Sequence, residues 1–110
     1  MTDETQLKIL IADDEPLAAE RLQMLLARID GVHLVGTAHD GESAVRMAEA
    51  LEPNLVLLDI AMPGLDGIEV ARALSRNGES PAVVFITAFD QFAVAAFDVA
   101  AIDYLMKPVE

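Results

Sequence analysis

The chain has 110 residues, the size of one ordinary domain, and hydrophobic residues make up 54% of it, which is enough for a packed core. Its formal net charge of −12 argues against direct binding of nucleic acid or of an anionic membrane surface. The absence of cysteine excludes disulfides and thiolate sites, and the polar start MTDETQ is unlike a signal peptide. We therefore expect a cytoplasmic protein without a membrane-spanning segment.

Strand-like apolar runs and helix-like amphipathic runs alternate along the chain. In chain order, the pattern predicts a strand at Leu7–Ala12, a helix at Glu15–Ile29, a strand at Val32–Ala38, a helix at Gly41–Leu51, a strand at Leu55–Leu58, a helix at Gly67–Arg76, a strand at Ala82–Ile86, a helix at Gln91–Val99 and a strand at Ile102–Leu105. The apolar positions that share one face of the first helix are Ala18, Leu22, Leu25, Leu26 and Ile29. Asp66 and Asp90 are candidate N-caps, and Asn77-Gly78 is a candidate helix end.

This alternation with short connections predicts an α/β fold with a parallel sheet wound by right-handed crossovers. Five strands with helices on both faces match the flavodoxin-like doubly wound order 2-1-3-4-5. In such folds, sites form at the carboxyl ends of the strands, near the point where the strand order reverses.

Polar residues stand at these predicted strand ends. They are Asp13, Asp14, Asp59, Thr87 and Lys107. Carboxylates packed together repel one another and need a cation, and a set of oxygen ligands suits a hard cation such as Mg²⁺. A Mg²⁺ beside a nucleophilic carboxylate, a lysine and a hydroxyl makes a site suited to phosphoryl transfer.

Each of these residues also has an ordinary structural interpretation. Asp13 and Asp14 could stabilise the N-terminus of the first helix, and Asp59 could simply begin a loop. Threonine is common in strands, and the Lys107 side chain could extend to solvent. The combination at one sheet edge, rather than any single residue, favours a site.

The ordered set Asp13-Asp14, Asp59, Thr87 and Lys107-Pro108 closely resembles the receiver domain of two-component response regulators, along nearly the whole chain. The stretches DDEPLAAERLQMLL and ITAFDQFAVAAFDVAAIDYLMKPV are similar to the LytTR (LytR/AlgR) class in particular.

This resemblance implies a phosphorelay protein that receives a phosphoryl group on Asp59 from a histidine kinase or a phosphotransfer protein. Asp14, Asp59 and the backbone carbonyl of Ala61 would bind Mg²⁺, with Asp13 acting through water. Thr87 and Lys107 would hold the phosphoryl oxygens. Tyr104 would be the switch aromatic, turning inward as Thr87 moves. The domain would signal rather than act as an enzyme, with only self-catalysed phosphoryl transfer and slow autodephosphorylation.

The resemblance also implies parts beyond this sequence. Residues 1–110 would form one receiver domain that stops before the family's fifth helix, two residues after Pro108. The output domain, a DNA-binding transcriptional regulator in the LytTR class, would also lie outside, so DNA would be bound only through it. A homodimer is predicted through Phe89–Leu105, because the helix Gln91–Val99 is apolar nearly all round, or through the uncovered sheet face.

Two other classes of protein fit parts of the same pattern. An aspartyl-nucleophile Mg²⁺-dependent phosphatase would need a second acidic residue two positions after Asp59, where this chain has Ala61. A flavin or nucleotide carrier would need a phosphate-binding loop after the first strand, where this chain has acidic residues.

Overall fold

The computed structural model describes residues 6–75, 81–87 and 103–107. The elements there are β1 (Leu7–Ala12), α1 (Pro16–Leu26), β2 (Val32–Ala38), α2 (Gly41–Leu51), β3 (Leu55–Leu58), α3 (Gly67–Ser75), β4 (Ala82–Thr87) and β5 (Asp103–Met106). The predicted helix Gln91–Val99 with its cap Asp90, the helix end Asn77-Gly78 and most of the predicted dimer surface lie outside the described residues.

The strands form one parallel sheet in the order β2-β1-β3-β4-β5, which confirms the predicted flavodoxin-like fold. The register aligns the carboxyl ends of neighbouring strands. Ala12 of β1 lies opposite both Ala38 of β2 and Leu58 of β3, and Thr87 of β4 lies opposite Met106 of β5. Residues that follow these strands therefore start from one common edge of the sheet.

The core lies on both faces of the sheet, because successive side chains of a strand point to opposite sides. Ile9 and Ile11 of β1 pack with Ala19 and Leu22 of α1 on one face. The alternate residues of the central strands pack with α2 and α3 on the other face. This second cluster includes Leu10, Ala12, Ala44, Ala48, Val56, Leu58, Val70, Leu74 and Phe85. Burial on both faces explains the continuous apolar strand sequences.

Aspartates fix the starts of two helices. Asp40 accepts a hydrogen bond from the Ser43 backbone N–H at 2.8 Å, at the N-terminus of α2. At α3, Asp66 accepts from the Glu69 backbone N–H at 2.9 Å, and the Glu69 carboxylate accepts from the Asp66 backbone N–H at 3.0 Å. This reciprocal pair confirms Asp66 as the predicted N-cap and satisfies two otherwise unpaired amide groups.

The first helix is shorter than predicted. It ends at Leu26, and Ile29, which was predicted to share its apolar face, is 51% exposed. The backbone N–H groups of Arg28 and Ile29 bond three residues back, to Leu25 and Leu26, so the last turn tightens. Gly31, with φ of +84°, then turns the chain into β2. Apolar periodicity continued past the point where the backbone leaves the helix.

The last two strands also differ slightly from prediction. β4 runs one residue further, to Thr87, and β5 covers Asp103–Met106 instead of Ile102–Leu105. None of the helices in the described ranges is long and apolar enough to cross a membrane.

Candidate functional site

Backbone hydrogen bonds continue the ladder of the sheet just past the strand ends and so place the site residues. The Asp13 N–H donates to the Ala38 carbonyl at 3.0 Å, and the Asp59 N–H donates to the Ala12 carbonyl at 2.8 Å. The Lys107 N–H donates to the Thr87 carbonyl at 2.8 Å. Each polar residue is therefore held in register with the strand beside it.

Three carboxylates meet at this edge. Asp13 and Asp59 are buried, at 1% and 4% exposure, and Asp14 is half-buried. One carboxylate oxygen from each of Asp13, Asp14 and Asp59 lies within 4.8 Å of the others. Thr87 is fully buried at the end of β4, the strand between those of Asp59 and Lys107.

Lys107 brings a positive charge to the cluster. Its Nζ atom lies 3.0 Å from Asp13 Oδ2 and 3.1 Å from Asp59 Oδ2. It also lies 2.5 Å from Oε1 of Glu15, a residue that the sequence analysis left inside the first helix. To make these contacts, the side chain starts at the edge strand β5 and passes β4 to reach the end of β3.

One lysine does not balance the acidic residues. Asp13, Asp14, Glu15 and Asp59 supply four carboxylates around a single Lys107 ammonium in the described part of the site. Asp13 Oδ2 is buried and accepts no hydrogen bond there, because the nearby Lys107 amine forms an ion pair without hydrogen-bond geometry. A buried carboxylate oxygen that accepts no hydrogen bond is suited to ligating a cation, and the all-oxygen set suits Mg²⁺.

The pKa values reflect this crowding. Burial raises the pKa of Asp59 to about 6; the Lys107 charge opposes the shift, and the Asp13 charge adds to it. Burial alone would lower the pKa of Lys107, but its contacts with the carboxylates of Glu15, Asp13 and Asp59 more than reverse that, so the pKa lies above its ordinary value. Lys107 therefore stays protonated at neutral pH, while an ionised Asp59 is costly without a further cation.

The loop after β3 packs tightly behind Asp59. The Ala61 N–H donates to Asp59 Oδ1 at 3.3 Å, so the Ala61 backbone lies against this carboxylate. The Gly67 N–H donates to the Ile60 carbonyl at 2.8 Å, and a Cβ on Gly67 would overlap with the backbone carbonyl of Asp59. Likewise, a Cβ on Gly41 would overlap with the Leu65 backbone in the same loop. Both helices must begin with glycine to come this close.

The structure thus brings together most of the predicted site residues. Asp13, Asp14 and Asp59 form one cluster, and the Lys107 amine contacts two of its members, Asp13 and Asp59. Thr87 lies on the strand between those of Asp59 and Lys107. Tyr104 lies on β5, opposite Phe85 of β4 in the backbone register, and its switch role stays a prediction. Glu15, Gly41 and Gly67 were not predicted to belong to the site. Both glycines follow a helix-capping aspartate in an Asp-Gly pair, which is the signal that was available for them.

Comparison with known families agrees with this geometry. The sequence profile of the response regulator receiver domain matches residues 9–110. The chain belongs to this family. As a receiver domain, it is a signalling domain of two-component systems, and the matched range contains every site residue described above.

Relatives of known name support the LytTR class. The receiver domain is 50% identical over 104 residues to the positive alginate biosynthesis regulatory protein of Pseudomonas aeruginosa, covering 94% of this chain and 42% of that protein. It is 41% identical over 104 residues to the sensory transduction protein LytT of Bacillus cereus, again covering 94% and 42%. A third relative is the transcriptional regulatory protein BtsR of Salmonella typhi, to which the chain is 42% identical over 104 residues, covering 94% of this chain and 43% of that protein. The chain therefore spans about two-fifths of the length of these relatives.

Solved structures confirm the fold. The receiver domain of the putative response regulator NarL from Mycobacterium tuberculosis superposes with a TM-score of 0.90 at 32% identity, covering 96% of this chain and 86% of that one.

Proposed function

We propose that this receiver domain accepts a phosphoryl group on Asp59. The observation that carries the proposal is the position of the Asp59 carboxylate, which is buried at the end of β3, near those of Asp13 and Asp14 and 3.1 Å from the Lys107 amine. The donor is a phosphohistidine of a histidine kinase or phosphotransfer protein. The bond from phosphorus to the histidine nitrogen breaks as a bond to an Asp59 oxygen forms, and the nitrogen keeps the electron pair.

The acidic cluster is proposed as a Mg²⁺ site. Asp14, Asp59 and the backbone carbonyl of Ala61 are the proposed ligands, with Asp13 acting through water, although its Oδ2 atom, which accepts no hydrogen bond, is also suited to direct binding. The bound metal would supply positive charge to the transferred oxygens. That charge would also favour the ionised form of Asp59, which is the form that can act as a nucleophile.

Lys107 and Thr87 are proposed to hold the phosphoryl oxygens. The Lys107 ammonium is already beside Asp59, and it stays protonated because three carboxylates surround it. Thr87 lies on the strand between them and would donate its hydroxyl. Positioned donors of this kind stabilise charge that develops during phosphoryl transfer.

The output is proposed to be control of transcription. The relatives named above include regulatory proteins and exceed this chain in length, so a further domain would bind DNA. Phosphorylation would change the surface around β5 through Thr87 and Tyr104. A homodimer through Phe89–Leu105 or through the uncovered sheet face remains part of this proposal.

Mass spectrometry after treatment with acetyl phosphate and Mg²⁺ tests the proposal. The protein should gain one phosphoryl group, and Asp59→Asn should abolish the gain. Asp66→Asn is a matched control, because asparagine still caps α3 and the residue lies outside the site. Phosphorylation that persists in Asp59→Asn would overturn the assignment, and sustained turnover of a phosphate ester would favour the phosphatase alternative.

A further inference from the structure

Glu15 contacts the Lys107 amine more closely than the buried aspartates do. The Glu15 Oε1 to Lys107 Nζ distance is 2.5 Å, against 3.0 Å for Asp13 and 3.1 Å for Asp59. The side chains differ in exposure, because that of Glu15 is 62% exposed and that of Lys107 only 14%. A surface carboxylate therefore holds an amine that lies mostly inside the site.

The local sequence explains how Glu15 comes to be there. Pro16 occupies the first turn of α1, and the residue before a proline favours extended backbone, which Glu15 adopts with φ −94° and ψ 111°. The Glu15 N–H donates to Asp13 Oδ1 at 2.9 Å, which ties this residue to the acidic cluster. The Glu15 side chain makes no capping bond to α1, so its carboxylate is available to Lys107.

Three carboxylates already surround the Lys107 ammonium. An ammonium group has three N–H donors. Within the described site, Nζ donates to Glu15 and to Asp59 and pairs with Asp13. A phosphoryl oxygen on Asp59 would therefore compete for Lys107 with carboxylates that already lie within 3.1 Å of its amine.

Glu15 is the contact that can be released most easily. Asp13 is buried and held by its bond from the Glu15 N–H, and Asp59 carries the phosphoryl group itself. Glu15 instead lines, with Arg21 and Lys107, a cleft of about 280 Å³ beside α1, so its side chain has room to move. Exposed ion pairs also contribute little to stability, so their loss costs little.

We propose that Glu15 is a positioning residue that occupies a Lys107 donor before phosphorylation and is displaced by the phosphoryl group. Glu15 thereby opposes the phosphorylated state, because its ion pair with Lys107 exists only in the unphosphorylated one. This inference rests on the proposed function, since it names a residue that regulates the same site through Lys107.

The test compares two affinities in Glu15→Gln and in the wild type. Beryllofluoride, which mimics a phosphoryl group on an aspartate, should bind Glu15→Gln about two- to fivefold more tightly at saturating Mg²⁺, the range expected for a partly exposed ion pair. Mg²⁺ alone should bind the variant equally or more weakly, because a negative charge near the acidic cluster is lost. A merely structural role of Glu15 would weaken both affinities together.

Two further variants separate contact from charge. Glu15→Asp keeps the charge but is one methylene shorter, so it should also tighten beryllofluoride binding while leaving the Mg²⁺ affinity as in the wild type. Glu20→Gln removes an exposed charge elsewhere on α1 and should change neither affinity. The gain in Glu15→Gln should shrink at roughly 1 M salt, where exposed charges are screened.

The possible results separate a failure of the proposed Glu15 role from a failure of the proposed phosphoacceptor function. If the wild type binds beryllofluoride well but Glu15→Gln binds it equally or more weakly, only the proposed role of Glu15 is overturned. A wild type that binds no beryllofluoride would overturn the proposed function and this inference with it.

Discussion

Replacing Asp59 with asparagine should stabilise the metal-free protein at neutral pH, although it removes the proposed phosphoacceptor. Asp59 is 4% exposed, and burial raises its pKa to about 6 from the ordinary 3.8. The folded state therefore binds this proton more tightly than the unfolded chain does. The stability that the protonated carboxyl contributes is fully present below about pH 3.8 and is lost as the pH rises through about 6.

The size of this stability change follows from the shift in the pKa of Asp59. The difference between 3.8 and about 6 is roughly two pKa units, and each unit corresponds to 1.36 kcal/mol, so about 3 kcal/mol is lost at full ionisation. An asparagine side chain at this position has nearly the same shape and can still accept a hydrogen bond from Lys107, but it does not ionise. The pKa of Lys107 lies above its ordinary 10.5, so the stability it contributes is lost only at alkaline pH and does not affect this range.

Urea unfolding in chelator at several pH values measures the effect. The free energy of unfolding of Asp59→Asn minus that of the wild type should rise by about 2 kcal/mol between pH 4 and pH 7.5, somewhat less than the full shift because the unfolded chain is already partly ionised at pH 4. Glu49→Gln, an exposed change of equal charge on α2, should show no such rise. Saturating Mg²⁺ should reduce or reverse the advantage, because the metal stabilises the folded wild type that binds it. A difference that is flat with pH, or that falls, would refute the account of Asp59.

Three further predictions concern the metal, the loop and a helix cap. Asp14→Asn should weaken Mg²⁺ binding on the order of tenfold or more, measured by titration calorimetry, and an unchanged affinity would remove Asp14 from the ligand set. Gly67→Ala should cost about 1–3 kcal/mol and slow phosphorylation of Asp59, because the new Cβ meets the Asp59 backbone, whereas at Gly36 it mainly meets the flexible end of a side chain. Equal losses in Gly67→Ala and Gly36→Ala would contradict this reasoning. Asp66→Ala should lower the free energy of unfolding by about 1 kcal/mol, and Asp66→Asn should restore most of it in the same urea assay; a failure of asparagine to do so would argue against the cap.

The sequence predicted those features that depend on strand ends. Apolar runs such as Leu55–Leu58 predict buried parallel strands, and a polar residue directly after each run must lie at the shared edge. This logic found Asp13, Asp59 and Lys107 without knowledge of any contact. It placed these residues at the same edge only approximately. The structure adds the aligned register of the strands and the contact distances, such as 3.1 Å between Lys107 Nζ and Asp59 Oδ2.

Features that depend on how far a side chain extends, or on close packing of the backbone, were not predictable in this way. Glu15 was predicted only as the first residue of a helix. Its contact with Lys107 was not predicted, because it depends on how far the Lys107 side chain extends across the sheet. Gly67 was predicted only as the start of a helix. Its close packing was not predicted, because it depends on a loop that returns to the backbone of Asp59. The end of α1 was placed at Ile29 because periodicity reports which side chains are apolar, not where the backbone turns.

The path of the Lys107 side chain has a consequence for communication within the domain. β5 is the edge strand, yet the amine that follows it contacts carboxylates that follow β3 and β1, which lie two and three strands further in. The position of the edge strand β5 and the charge on Asp59 are therefore linked thermodynamically. By reciprocity, a partner that binds one placement of β5 better than another must change the affinity at Asp59, and occupancy of Asp59 must change the affinity for that partner by the same factor.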